Sequence, residues 1–249
     1  MPKTSELEPP RIIVEGVRKT YTLRHTQSFK ETFVAWLKRK RTSTSFQALN
    51  GIDITVGDSE AIALLGYNGS GKSTLLKLVS GVLRPDAGRV LTRGRVAGLI
   101  EVGAGFHPDL SGRENVYLNA AILGMSKDEI DARFDEIVEF SEIGEFIDTE
   151  VKHYSSGMFV RLAFSVAIHT ELDILLVDEV LAVGDAPFRE KCKTKIREIV
   201  AAGKTLFIVS HDLGMVSDLC SRGIVLRRGE VVFDGAIGDA ITTLKASTR

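Results

Sequence analysis

Eight consecutive residues, Gly66, Tyr67, Asn68, Gly69, Ser70, Gly71, Lys72 and Ser73, fit the pattern G-x-x-x-x-G-K-[ST], and Thr74 follows directly as a further loop residue. Glycines at these positions let the backbone fold tightly enough for successive amide N–H groups to point at phosphate oxygens. A helix starting directly after the loop adds the positive end of its dipole. Lys72 supplies an ammonium for the β- and γ-phosphates, and Ser73 offers a hydroxyl to Mg²⁺, a hard ion that prefers oxygen ligands. Kinases, GTPases and many ATPases share such a loop. The guanine-reading pattern Asn-Lys-x-Asp is absent, which counts against a GTPase.

A second cluster closes the apolar run Ile174–Val177 with two carboxylates, Asp178 and Glu179. Asp178 is placed to hold the Mg²⁺ shell, and Glu179 to polarise an attacking water. General-base help of this kind contributes roughly 10²–10⁴ in rate. In isolation the same residues read as a buried strand ending in solvated acids; downstream of a phosphate loop the chemical reading is favoured.

The elements that must position these groups follow from hydrophobic period and punctuation. Arg11–Val17, Ile52–Val56 and Ala61–Leu65 read as strands, and Ser73–Val82 as a helix. Gly88–Ile100 reads as a β-hairpin. Leu110–Thr170 is mostly helical, with Ser126 and Glu129 as a capping box before Ile130, Phe134, Ile137 and Val138. Strand signals resume at Asp173–Asp178 and Thr205–Ser210, with Asp185 and Pro187 starting a helix that runs to Val200. Ile224–Leu226 and Val231–Phe233 flank a turn and form a closing hairpin. The expected fold is α/β, a P-loop (RecA-like) nucleotide-binding core with an antiparallel β part and an inserted α-helical lobe at about 107–170. All of it forms one domain over residues 1–249.

Composition bounds the remaining classes. The 249 residues are 44% hydrophobic and 26% charged, which suits a globular domain with a sizeable core. A net charge of −1 argues against a general nucleic-acid binder. Cys192 and Cys220 lie far apart without ligand-spaced neighbours, so neither a zinc site nor a disulfide framework is expected. Cys192 falls in step with Phe188, Ile196 and Ile199 and reads as core. The apolar runs are far shorter than the ~20 residues that cross a bilayer, so a membrane role requires another protein to span it.

Tyr154, Ser155, Ser156, Gly157 and Met158 precede the apolar helix Phe159–Ile168. Here the chain resembles the ABC (ATP-binding cassette) ATPases, whose signature loop is Leu-Ser-Gly-Gly-Gln. In that family the loop of one subunit closes on the γ-phosphate held by the other. The resemblance implies ATP as substrate, a homodimer, and Ser155, Ser156 and Gly157 as nucleotide contacts. It extends along nearly the whole chain in the family's order. Tyr21 stands where the family stacks an aromatic on adenine, although a lone tyrosine more often packs. Leu181–Asp185 resembles the loop linking the two active sites. His211 resembles the switch histidine that meets the γ-phosphate and the catalytic water. One departure is plain. The family's inter-lobe glutamine, which senses Mg²⁺ and contacts the membrane subunit, is missing, and Glu101 takes its place.

Three features resemble the branch exporting lipid-linked polysaccharides of the O-antigen, teichoic acid, capsule or galactan type. They are the stretch Gly103–Asn115, the Tyr154–Met158 variant and an insertion at about 24–46. Within the insertion Ser28 and Glu31 form a capping box, and Phe29, Phe33, Trp36 and Leu37 share a helical face ahead of the basic run Lys38–Arg41. Such a helix either packs on its own domain or gates the membrane subunit beside an anionic lipid-diphosphate. The expected protein is a peripheral ATPase on the cytoplasmic face of the cell membrane, joined to an integral-membrane permease and acting on a lipid-linked glycan. With the chain ending at Arg249, no carbohydrate-binding domain is expected after the cassette. The alternatives are an ABC ATPase of another transporter branch, or a soluble one not tied to transport.

Overall fold

A computed structural model describes residues 9–24, 43–99, 103–178 and 184–246. Numbered in chain order over these residues, the strands are β1 (Ile12–Arg24), β2 (Ser43–Val56), β3 (Ala61–Leu65), β4 (Ala87–Thr92), β5 (Val96–Gly98), β6 (Ile174–Val177), β7 (Thr205–Ile208), β8 (Arg222–Arg227) and β9 (Glu230–Ala236). The helices are α1 (Lys72–Val79), α2 (Gly112–Ile122), α3 (Lys127–Ser141), α4 (Ser156–His169), α5 (Ala186–Ala201), α6 (Leu213–Leu219) and α7 (Ile237–Ala246).

Two sheets result. β2-β1-β4 is antiparallel, and β5-β6-β7-β3-β8-β9 is parallel except for its last pair. The period of two along β3 explains how they stack. Ile62 and Leu64 face a core shared with Ile12, Leu49, Ile52, Leu75 and Leu76, while Ala63 and Leu65 face a second core with Phe164, Phe188 and Ile208. A third core lies within the helices, where Val116, Ile130, Phe134 and Ile137 meet Leu162 and Val166. Helix α4 therefore serves two cores at once. Leu162 and Val166 point into the helical lobe, and Phe164, Ala167 and Ile168 point at the sheet.

Gly88–Ile100 is not a hairpin, and the expectation is corrected. β4 pairs with β1 in the antiparallel sheet, whereas β5 pairs with β6 in the parallel one. The turn-like residues between them cross from sheet to sheet. Gly94 (φ +107) sits against the Asp173 side chain, whose Oδ2 accepts the Arg95 amide at 2.9 Å. β1 and β2 also run well beyond their apolar cores, pairing out to Arg24 and Ser43. Residues 20–22 and 44–47 are exposed, so no hydrophobic alternation announced this extension. The expected helix at Ser28–Leu37 and its basic run lie outside the described residues. Ser111 and Ser126 both close full capping boxes, with Glu114 and Glu129. Cys192 and Cys220 are buried, and burial pushes each thiol up to about 12.

Candidate nucleotide-binding site

β3 ends at the carboxyl edge of the parallel strands and delivers Gly66 into a tight turn. Gly69 (φ +78) and Gly71 (φ +109) need the left-handed region, and Gly71 is the cap of α1. A Cβ on Gly66 would lie 2.5 Å from the Leu226 carbonyl oxygen, and one on Gly71 2.6 Å from that of Ala48. The loop is thus wedged between the end of β8 and strand β2. Lys72 is only 7% exposed, and its Nζ donates to the carbonyls of Gly66 at 2.8 Å and Tyr67 at 3.3 Å. Ser70 Oγ is buried without a hydrogen-bond partner, the one such side-chain atom among the described residues. A buried hydroxyl left in that state costs about 1–3 kcal/mol, and an anion seated in the loop would relieve it. The residues fit a polyphosphate.

The same edge gathers the other candidates. β7 lies between β6 and β3, all parallel, so Asp178 after β6, His211 after β7 and the phosphate loop after β3 open on one side. Asp212 fixes the His211 turn by accepting the Met215 amide at 3.0 Å as the cap of α6. Among the described residues no three His, Cys, Asp or Glu side chains gather as a metal site. Ser73 and Asp178 are an all-oxygen pair, which suits a hard divalent ion such as Mg²⁺. Glu179, Glu101 and residues 181–183 lie outside the described residues.

A pocket of about 380 Å³ opens over Asn68, Gly69, Lys72, Ser73 and Thr74, walled by Phe46 and Ala48. Phe46 was missed in the sequence. It pairs across the β1–β2 ladder with Tyr21, so the two rings share a face, exposed 49% and 36%. Tyr21 does not line the pocket; Phe46 does. Gly229 was missed as well. In the β8–β9 turn its amide donates to the Ser70 carbonyl at 2.9 Å, and its own carbonyl accepts the Asn50 amide at 2.8 Å.

Ser155, Ser156 and Gly157 belong to the other lobe and do not line the pocket over the phosphate loop. Ser155 caps α4, its Oγ accepting the Met158 amide at 3.2 Å, which leaves the hydroxyl proton to donate. A Cβ on Gly157 would meet only Ser155 Oγ, at 3.8 Å, so nothing among the described residues requires glycine there. Arg161, one turn further on, pairs with Glu142 at 2.7 Å and Asp185 at 2.6 Å and lies over the Phe188 ring. Desolvation opposes the Asp185 charge, but the Arg161 hydrogen bond and charge and the Phe188 amide together hold its pKa below the usual value.

Comparison with known proteins decides what this arrangement belongs to. The profile of the ABC transporter family matches residues 49–182, more than half of the chain. The chain belongs to the ABC transporter family. It is 51% identical over 179 residues to the O-antigen export system ATP-binding protein RfbB of Klebsiella pneumoniae, covering 72% of this chain and 73% of that one. With the teichoic acids export ATP-binding protein TagH of Listeria innocua it is 41% identical over 221 residues, 89% of this chain and 65% of that protein. The fold matches the ATP-binding cassette MJ0796, seen as a post-hydrolysis dimer with ADP and Pi, at a TM-score of 0.70. That match covers 91% of this chain and 98% of the other at 22% identity.

Like other ABC transporter cassettes, the chain binds ATP. No helix among the described residues is long and apolar enough to cross a membrane. Between the lobes runs a cavity of about 340 Å³ lined by Val82, Val96, Gly103, Ile122 and Ala163. Val82 and Ile122 stand exposed on its rim.

Proposed function

We propose that this chain is the ATP-hydrolysing subunit of an exporter of lipid-linked polysaccharide, working as a homodimer at the cytoplasmic face of the membrane on a separate permease. The observation carrying this reading is the combination of one-edge geometry with relatives that are export ATP-binding proteins for O-antigen and teichoic acid.

The phosphate loop binds the triphosphate. Lys72 moves from the Gly66 and Tyr67 carbonyls to the β- and γ-phosphates, and the Ser70 hydroxyl gains an acceptor. Phe46 and Tyr21 offer the adenine an aromatic face. Ser73 and Asp178 would hold Mg²⁺, which when bound would offset the charge of the transferred phosphoryl group. Glu179 takes a proton from the attacking water and His211 orients it. By the resemblance, Glu101 takes the place of the family's glutamine that senses Mg²⁺ and contacts the permease. Ser155, Ser156 and Gly157 act on the nucleotide of the second copy. The capped helix start carries a hydroxyl proton, and the open side of Gly157 lets a phosphate approach the backbone. The apolar groove between the lobes takes a short helix of the permease, since this chain's described helices do not span a membrane.

Glu179→Gln tests the assignment. The variant is expected to accumulate as an ATP-bound dimer with turnover down at least about 10²-fold. A variant that hydrolyses ATP at the wild-type rate overturns the role of Glu179. A wild-type protein that neither binds Mg·ATP nor pairs when loaded overturns the whole reading.

A further inference from the structure

The second residue of the phosphate loop reaches out of the loop altogether. Tyr67 Oη donates to the carbonyl oxygen of Leu244 at 3.0 Å, 177 residues away in the last turn of α7. The phenol of the phosphate loop is therefore joined to the backbone of α7. α7 is itself anchored. Ala240 is fully buried, Ile237, Ile241 and Leu244 pack on the sheet core, and a Cβ on Gly223 of β8 would lie 2.6 Å from Ala240 Cβ. The Tyr67 hydroxyl is thus tied to a fixed point.

The need for such a tie follows from what nucleotide removes. In this structure the Lys72 ammonium is donated to the Gly66 and Tyr67 carbonyls and draws the first half of the loop together. A triphosphate competes for that ammonium, and the two carbonyls then lose their shared donor. At the far end of the loop Ser70 stays held through the Gly229 amide. At the near end the Tyr67 carbonyl also accepts the Ser70 amide at 3.0 Å, a bond inside the loop, and the Tyr67 side chain ties the loop to an element outside it.

We infer that Tyr67 is a positioning residue for ATP binding, holding the near half of the phosphate loop in register by hydrogen bonding to the end of α7. The inference rests on Gly66–Thr74 being the triphosphate site. Coupling of this kind is reciprocal: if the tether favours bound nucleotide, bound nucleotide must steady the end of α7.

Tyr67→Phe in the full chain removes the hydroxyl and keeps the ring. The measurements are ATP affinity by titration with a fluorescent ATP analogue, and amide hydrogen exchange at the end of α7 with and without nucleotide. One net hydrogen bond corresponds to affinity about three- to tenfold weaker in the variant. In the wild type, nucleotide is expected to slow exchange in the last turn of α7; in Tyr67→Phe that protection disappears while the melting temperature stays near wild type. A chain ending at Thr243 lacks the acceptor, and adding Tyr67→Phe to it is expected to cost no further affinity. Affinity within twofold of wild type, protection that persists in the variant, or an additive loss in the shortened chain overturns the inference. Failure of the wild type to bind the analogue instead overturns the reading of the phosphate loop on which it rests.

Discussion

The amide of Gly229 donates to the carbonyl of Ser70 at 2.9 Å, joining the β8–β9 turn to the phosphate loop across 159 residues of sequence. Gly229 has φ +80, and a Cβ there would lie 2.6 Å from the Ala48 carbonyl. Gly229→Ala is expected to lose about 1–3 kcal/mol of stability from backbone strain and steric displacement. It is also expected to weaken nucleotide binding, because the turn can no longer close on Ser70. Urea denaturation and nucleotide titration on the same preparation check both effects.

Phe46 walls the pocket over the phosphate loop. Loss of one aromatic contact corresponds to about 0.5–1.5 kcal/mol, so Phe46→Ala is expected to raise KM for ATP about two- to tenfold with kcat little changed. Phe46→Tyr should restore KM. An unchanged KM in the alanine variant would remove Phe46 from the site.

Arg161 joins the start of α4 to Asp185. The pair is partly exposed and contributes little to stability, on the order of 0–1 kcal/mol. Arg161→Met is therefore expected to melt near the wild-type temperature. Steady-state hydrolysis is expected to fall at least about fivefold, as Asp185 at the start of α5 loses its hold on the helix bearing Ser155. A variant with wild-type turnover would show the pair to be structural only.

Ile122 stands 60% exposed on the rim of the groove between the lobes. A charge there costs little in the isolated subunit but clashes with an apolar partner helix. Ile122→Glu is expected to abolish co-purification with the permease while ATP affinity stays at the wild-type value. Retained co-purification would place the docking surface elsewhere.

His169 is buried, its Nδ1 2.7 Å from the Ser165 carbonyl, and desolvation lowers its pKa from 6.5. The unfolded chain therefore binds this proton more readily than the folded one. The contribution to stability is complete above the unfolded pKa and is lost as pH falls below about 6.5 toward the depressed folded value. Urea midpoints are expected to fall between pH 7.5 and 5.5, and His169→Gln should flatten that slope.

Much of this was written in local pattern. The phosphate loop, the Ser111 and Ser126 caps, the Asp185 start of α5 and the closing hairpin all rest on residues within a few positions of one another. What escaped is non-local. Gly88–Ile100 carried turn residues that looked like a hairpin, because nothing nearby reveals that Gly94 lies against Asp173. Phe46 escaped because its value depends on register with Tyr21 across an intervening segment, and Gly229 because its partner Ser70 is distant in sequence. The exposed ends of β1 and β2 lack the alternation that burial imposes.

Helix α4 also sets how the molecule comes apart. With Leu162 and Val166 in one core and Phe164, Ala167 and Ile168 in another, fraying of the lobe strips half the helix while the sheet still needs the remainder. Neither unit can melt without exposing the other, so calorimetry should record one endotherm in place of two.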